Sequence, residues 1–411
     1  MNYSEILGQM LDLGAAMIGS GAETHRVEDS LYRLCAAYQF ERSEVWVVPS
    51  NIQATVIDPD GNLHTQIRHV RRMGVDFGVL DRLNDVSRRC CADTPNETAF
   101  KQRLQEALRS HPAKPWMRYL AALLAGVGFG VFFNCDPVDA LVAATASLLI
   151  TLLGWLFSRK ESNPLVLNFI IACFTELWIL LCVKLGFGHH TGYITVGVVM
   201  LLISALGTTN GVRDLVHLDT LSGVMNITAS LTGAIGIALG IALPILLLPS
   251  WSTADAMGLN QEPVVTLIAA TVGCVGFALF FGIVKWQHLV TCAIGSALTW
   301  GVYLVLEPVF GNGFVPTIIG SAVCALFALV AARINKAPAT VFQTICIFPL
   351  IPGATLYYTA YGVVTANAAL AEEKGLGLIM TCFAIVLGFM AVEATNRLIG
   401  KRPGARTKKR S

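Results

Sequence analysis

Two features of this sequence have residue types that could do chemistry inside a membrane. One is a lone carboxylate in an apolar run; the other is a stretch of backbone that cannot stay helical. Glu176 lies in Phe174-Thr-Glu-Leu-Trp178, with apolar residues on both sides. A carboxylate at the middle of a bilayer costs about 2.5–3.5 kcal/mol on insertion scales. It is therefore expected to face the interior of a helix bundle, where it can take and release a proton; Glu176 is the candidate proton-coupling residue. The plainer alternative is a neutral Glu hydrogen-bonded to the next helix. Residues 346–353 read Cys-Ile-Phe-Pro-Leu-Ile-Pro-Gly. Two prolines remove two backbone donors and break a helix. In hydrocarbon such a break is tolerated only inside protein or beside a water-filled cavity, and carriers place substrate sites at breaks of this kind. Pro352, Gly353, Thr355 and Tyr357 are the candidate substrate contacts there. A proline kink that serves packing alone is the alternative.

A second stretch, Ala205-Leu-Gly-Thr-Thr-Asn-Gly211, lies late in an earlier apolar run. Its glycines and polar side chains are expected to loosen the helix. Freed amides can hold a carboxylate and freed carbonyls an ammonium. Thr208, Thr209, Asn210 and Gly211 join the candidate contacts, with hydroxyls suited to a small hydroxyl-bearing substrate. Arg213 and Asp214 follow. Asp214 is a second candidate for gating or proton transfer, against the reading of a solvated loop charge. Glu393 and Arg397 are four apart and read as a local ion pair. His189-His190 is read as incidental rather than metal-binding. His25, Cys35, His64 and His69 near the start come with no nucleophile elbow, P-loop, HExxH or CxxC. No catalytic residue, metal or cofactor is expected.

Residues 1–116 hold 28 charged side chains, and the remaining 295 hold another 28. The whole chain is 14% charged, against about 25% in soluble domains. The chain thus divides into a soluble-like front (1–116) and a membrane body (117–249 and 263–397), followed by a basic tail (398–411). No basic stripe with interleaved aromatics points to nucleic acid. The lipid bilayer is the expected surroundings, with a homo-oligomer left open.

The front reads as a small α+β domain. Helices are expected over 3–18, from a Ser20–Glu23 capping box to about Tyr38, over 76–89 and over 97–109. Strands are expected within 45–57 and at 64–70, around an Asp58-Pro-Asp-Gly61 turn. His111-Pro-Ala-Lys-Pro115 is the expected linker.

Ten apolar segments follow, near 117–133, 138–157, 164–183, 193–209, 223–248, 263–284, 287–306, 314–334, 339–362 and 376–397. The fold class expected is an all-α polytopic membrane protein. With the front inside, the inner loops hold Arg159-Lys160, Arg213, Lys285, Arg333, Lys336 and the tail, while the outer loops hold Lys184 and Lys374. That positive-inside bias puts both termini in the cytoplasm, in the cytoplasmic (inner) membrane.

The membrane body repeats. Gly126-Val-Gly-Phe-Gly-Val-Phe-Phe133 parallels Cys274-Val-Gly-Phe-Ala-Leu-Phe-Phe281, and Leu206-Gly207 is set against Pro352-Gly353. Five spans per half is odd, so the two five-helix repeats are expected to be inverted. Ala122, Gly126 and Gly130, like Gly236 and Gly240, have the spacing of close helix contacts.

Together these features resemble the threonine/serine exporter family. The matching residues are Gly21-Ala-Glu-Thr24 with Arg26-Val27-Glu28, then Pro49-Ser-Asn-Ile52 with Asp60-Gly61, Thr65 and Arg68, then Phe348-Pro-Leu-Ile-Pro-Gly353 with Tyr357. The resemblance covers nearly the whole chain. It implies a cytoplasmic front domain, ten spans and export of small hydroxy amino acids driven by the proton gradient. Split members of the family resemble C4-dicarboxylate (succinate-like) exporters, which is the alternative substrate class. The first-half motif usually contains Pro-Gly where this chain has Leu206-Gly207. A membrane-anchored hydrolase and a passive channel are the rival classes.

Overall fold

The computed structural model describes residues 2–400 apart from 71–73, 110–114, 159–160, 162, 204, 217–218, 254–258 and 260–261. The linker at 111–114, Arg159-Lys160 and the tail from Lys401 lie outside the described residues, as do the side chains of Arg213 and Arg397.

The front domain runs α1 (Tyr3–Gly19), α2 (Thr24–Ala37), β1 (Arg42–Val48), β2 (Asn51–Ile57), β3 (Leu63–His69), α3 (Phe77–Asp93) and α4 (Glu97–Arg109). The strands form an antiparallel meander with β2 central, Val48 opposite Asn51 and Ile57 opposite Leu63. Alternation decides its faces: Ile52, Ala54 and Val56 are buried beside Ile6, Met10 and Val27. The β2–β3 turn is held by Asp58, whose Oδ1 accepts the Asp60 and Asn62 N–H groups at 3.0 and 2.8 Å.

The expected capping box is not formed. Ser20 closes α1, its hydroxyl donating to Ala16 O. Gly21, at φ +94°, lets the chain turn so that the Ala22 N–H reaches Met17 O. The α2 N-cap is Glu23 itself, without a side-chain cap bond, and its carboxylate is engaged by Arg26 at 3.2 Å.

The membrane body has twelve described helices in two matching series. The first is α5 (Pro115–Phe132), α6 (Pro137–Phe157), α7 (Pro164–Lys184), α8 (Thr191–Val199), α9 (Ala205–Val216) and α10 (Thr220–Leu247). The second is α11 (Pro263–Phe280), α12 (Trp286–Phe310), α13 (Phe314–Asn335), α14 (Ala339–Cys346), α15 (Gly353–Val364) and α16 (Ala368–Gly400). Each helix of the second series starts 148 to 150 residues after its counterpart.

Seven described helices are long and apolar enough to cross a membrane, or eight if α14 and α15, bent by 43°, count as one span. That is fewer than the ten expected. The apolar part of α5, Trp116–Phe132, is shorter, and the segment expected as one span at 193–209 is split between α8 and α9.

Small residues let the two series meet. A Cβ on Gly128 of α5 would lie 2.5 Å from Gly273 N of α11, and one on Gly276 would lie 2.3 Å from Ala125 N. The pairs 128/273 and 125/276 run in opposite chain directions, so α5 and α11 are antiparallel. Phe129 and Phe277 close the crossing with ring centroids 5.5 Å apart. The small-residue spacings seen in the sequence are used as expected: Gly126 packs on Ser147, Gly130 on Gly197, and Gly236 and Gly240 on the α7 backbone.

The front domain docks at the end of α11. The Phe77 N–H donates to Phe281 O at 2.7 Å and the two rings meet edge-on. Lys285 Nζ reaches Asp81 at 2.7 Å, and Thr340, in the first turn of α14, donates to Glu23 at 3.5 Å.

Candidate functional site

The proline break is present and lies inside protein. α14 stops at Cys346, Phe348–Leu350 form one 3-10 turn, and α15 begins at Gly353. Pro352 sits at φ −77°, ψ 54°, and the Gly353 N–H closes back on Ile351 O at 2.8 Å. That is an inverse γ-turn, the tightest closure a chain without a proline N–H can make here. Residues 345–354 are all buried. Phe348 stacks on Phe277 of α11, centroids 4.2 Å apart. Irregular backbone is thus shielded from lipid by neighbouring helices, as a membrane requires. Among the described residues, the Ala354 and Thr355 N–H groups at the start of α15 have no backbone acceptor.

Glu176 is 2% exposed, midway along α7. Thr195 of α8 donates its hydroxyl to Glu176 Oε2 at 2.8 Å. Beside the pair is a cavity of ≈ 10 Å³, lined also by Thr175, Val199 and Ile241. That is about room for a single water. Tyr357 and Tyr361 of α15 lie within electrostatic reach of the carboxylate. The sequence singled out Glu176 and Tyr357 separately, and the fold sets them within electrostatic reach of each other. It also adds Thr195 and Tyr361, which the sequence reading missed. Their only signal was position: polar atoms on neighbouring spans whose facing depends on packing.

The other candidates gather on α9. The expected loosening at 205–211 is not seen: those residues are helical, and the chain breaks upstream, at 200–203. Short-range bonds hold that break, Leu201 N–H to Val198 O at 3.0 Å and Leu202 N–H to Val199 O at 2.8 Å. Thr208 and Thr209 are buried and Asn210 is half-buried. Thr209 shares a hydrogen bond with the Cys382 thiol of α16. Thr208 Oγ1 has no hydrogen-bond partner among the described residues. Gly211 is pressed against Gly223 O and Ile227 of α10. Asp214 accepts from Asn226 Nδ2 of α10 at 2.9 Å. α9 packs on α10 and α16, and α15 packs on α8, α10 and α16, so α10 and α16 touch both broken segments. Thr355 is half-buried, facing Gly377 of α16.

His189 and His190 are not idle. His189 Nδ1 lies 2.5 Å from Asp136 Oδ2 and His190 Nδ1 lies 2.8 Å from Asp139 Oδ2. One ligand-type atom each from Asp136, Asp139 and His189 falls within 4.8 Å of the others. The hydrogen bond to Asp136, then that residue's charge, raises the His189 pKa above its ordinary value. In the front domain, Glu28 accepts the Val47 N–H at 3.0 Å and lies within electrostatic reach of Asp219, just before α10. Burial first, and then Asp219, raise its pKa, while the Val47 bond opposes the rise.

No curated protein and no solved structure matches this chain. Two family models do, both described as threonine/serine exporter: one covers residues 9–248, and the other, ThrE, covers residues 266–395. The first takes in most of the front domain with α5–α10 and the second runs from α11 into α16, so the boundary between them falls between the two helix series. A membrane body of apolar helices, a buried proline break and matches over most of its length place this chain in the threonine/serine exporter family.

Proposed function

We propose that the protein exports threonine, serine or a similar small hydroxy amino acid across the cytoplasmic membrane, driven by the proton gradient. One observation carries this reading. Glu176, buried and bonded to Thr195 in the first helix series, lies within electrostatic reach of Tyr357, one turn beyond the backbone opened by Pro352 in the second. The protonatable group and the opened backbone thus come from different halves, linked through α8, which packs on both α7 and α15.

In this reading the body is a pair of inverted five-span repeats, with α8–α9 and α14–α15 each forming one broken span. The antiparallel α5–α11 crossing supports it. Both termini lie in the cytoplasm, on the side where the front domain docks. The substrate carboxylate takes the Ala354 and Thr355 N–H groups at the positive end of α15. Pro352 and Gly353 keep that end open, and Tyr357 lines the approach. Thr208, whose buried hydroxyl lacks a partner among the described residues, together with Thr209, Asn210 and Gly211, forms the second wall across α10 and α16. Asp214, tied to Asn226, is the inner proton relay. Protonation of Glu176 loosens its bond with Thr195 and lets α8 move against α15. The front domain is a docking element rather than a catalyst, since Glu23, Phe77 and Asp81 are spent on contacts with the membrane body.

The test is export from proteoliposomes under an imposed pH gradient, with threonine, serine and succinate as substrates. Wild type is expected to move threonine and serine faster with the gradient than without. Glu176→Gln is expected to lose the gradient response while retaining exchange at equal pH. Gradient-driven export by Glu176→Gln at the wild-type rate would remove the carboxylate from the mechanism. Transport of succinate alone would move the substrate class to dicarboxylates.

A further inference from the structure

On the side where the front domain docks, a cleft of ≈ 500 Å³ opens between α3 and α4 and the adjoining ends of α12 and α13. Six cations line it: Arg82, Arg88, Arg89, Arg103, Lys285 and Lys336. The carboxylates in the lining are three, Asp81, Asp85 and Glu106. Pairing does not cancel the excess. Asp81 is taken by Lys285 at 2.7 Å, and Asp85 is shared by Arg88 and Arg89 at 3.2 and 2.7 Å. Arg103 is bound in two-pronged fashion by Asp93, outside the lining. Each guanidinium has five N–H donors in a fork that suits phosphate oxygens, so one shared carboxylate leaves most of the Arg88 and Arg89 donors unspent. Lys336, exposed at the end of α13 with φ +53°, makes no ion pair among the described residues.

The cleft's height is marked by tryptophan. Trp286 directly follows Lys285 and is 71% exposed, and Trp116 at the start of α5 is 58% exposed. Exposed tryptophans at helix ends sit at the headgroup level of a bilayer. The surplus cations thus lie where the phosphates of an inner leaflet would be, and basic pockets at that level suit anionic headgroups.

We propose that this cleft binds a phosphate-bearing anion, the phosphodiester headgroup of an anionic inner-leaflet lipid. Arg88 and Arg89 hold it from the front domain and Lys336 from the membrane body. Bound there, the headgroup bridges α3 to α13 and reinforces the docking that Lys285 and Asp81 begin. The site is separate from the transport pathway and does not depend on the substrate.

The test uses the full-length protein in detergent and follows its Tm by intrinsic fluorescence. Phosphatidylglycerol, phosphatidylcholine and inorganic phosphate are added separately to wild type and to the triple variant Arg88→Gln, Arg89→Gln, Lys336→Gln. The basic tail is present in both proteins, so its lipid contacts cancel. Phosphatidylglycerol is expected to raise the wild-type Tm by several degrees and the variant's by less than half as much, with phosphatidylcholine inert. A matching rise with inorganic phosphate, lost in the variant, would keep the site and make its ligand a free phosphate. Should the triple variant fail to fold, Lys336→Glu alone, an exposed change, must also shrink the phosphatidylglycerol shift. Equal shifts in wild type and variant, or no shift in wild type, overturn the proposal.

Discussion

The broken span of the second series turns on Pro349 and Pro352, while its counterpart in the first turns at 200–203 with no proline in sight. The carboxylate is distributed the other way. Packing fixes the register: Gly240 abuts Phe169 O and Cys173 N, and Gly388 abuts Ile318 O and Ala322 N. Those pairs are 149 apart, which places Ala325 of α13 opposite Glu176 of α7. One half therefore supplies a charge and the other supplies open backbone, on the same scaffold of helices. Two matching helix series thus differ in the kinds of residue they carry. Charge and open backbone are linked through α8, which packs on both α7 and α15.

The most severe way to break this comparison is to move the charge. Glu176→Ala should lower gradient-driven export at least about tenfold, some 1.4 kcal/mol or more of barrier. Adding Ala325→Glu should not restore it, because that position lies on α13, which packs on α14 and not on α8, so Thr195 is not there to hold the carboxylate. Recovery in the double variant, read in the same proteoliposome assay, would show that the halves are interchangeable after all.

The shared scaffold has its own test. A Cβ on Gly240 would lie 2.5 Å from Phe169 O, and one on Gly388 would lie 2.4 Å from Ile318 O. Backbone oxygens cannot step aside cheaply, so Gly240→Ala and Gly388→Ala should each destabilise the protein by about 1–3 kcal/mol. Gly301, where the nearest atom is 3.8 Å away, serves as the control. Thermal denaturation in detergent reads the difference. A large loss at only one of the two glycines would mean that the series pack differently. A smaller effect is expected at the break. Pro352→Ala returns a backbone donor and lets α14 run on toward α15. Export should fall roughly fivefold, the equivalent of about 1 kcal/mol, with membrane levels unchanged.

What the sequence made legible follows the same division. Prolines are local and unambiguous, so the second break was placed within a residue or two. The three strands were legible because Ile52, Ala54 and Val56 alternate with half-exposed neighbours. The first break was placed about five residues late, because threonine, asparagine and glycine were read as loosening a helix that tertiary packing keeps intact. Setting Leu206-Gly207 against Pro352-Gly353 assumed a spacing of 146; the helices run at 148, which sets Ala205 against Gly353. The missing Pro-Gly thus has less weight than the bare motif suggested. Ser20 looked like a cap because its spacing to Glu23 fits, yet Gly21 had already turned the chain. The contact between Glu23 and Thr340 joins residues 317 apart, a distance at which no local pattern speaks.

The subtlest contrast lies just before the second helix of each series. Asp136 caps α6, accepting the Val138 and Asp139 N–H groups at 2.8 Å, and its other oxygen holds His189. The corresponding residue before α12 is Lys285, which holds the front domain instead. The same structural position thus fastens a loop in one half and a domain in the other. Asp136 and Asp139 are the charged groups facing His189, with the His190 ring 6.1 Å away. Because Asp136 raises the His189 pKa, the fastening is complete below an ordinary histidine value of about 6.5. It fades as pH climbs through the raised one. Hydrogen exchange across residues 185–191, corrected for intrinsic rates, should therefore quicken as the pH is taken from 5.5 toward 9. His189→Ala should exchange quickly throughout. A loop equally protected across that range would mean that Asp136 holds His189 by shape rather than by charge.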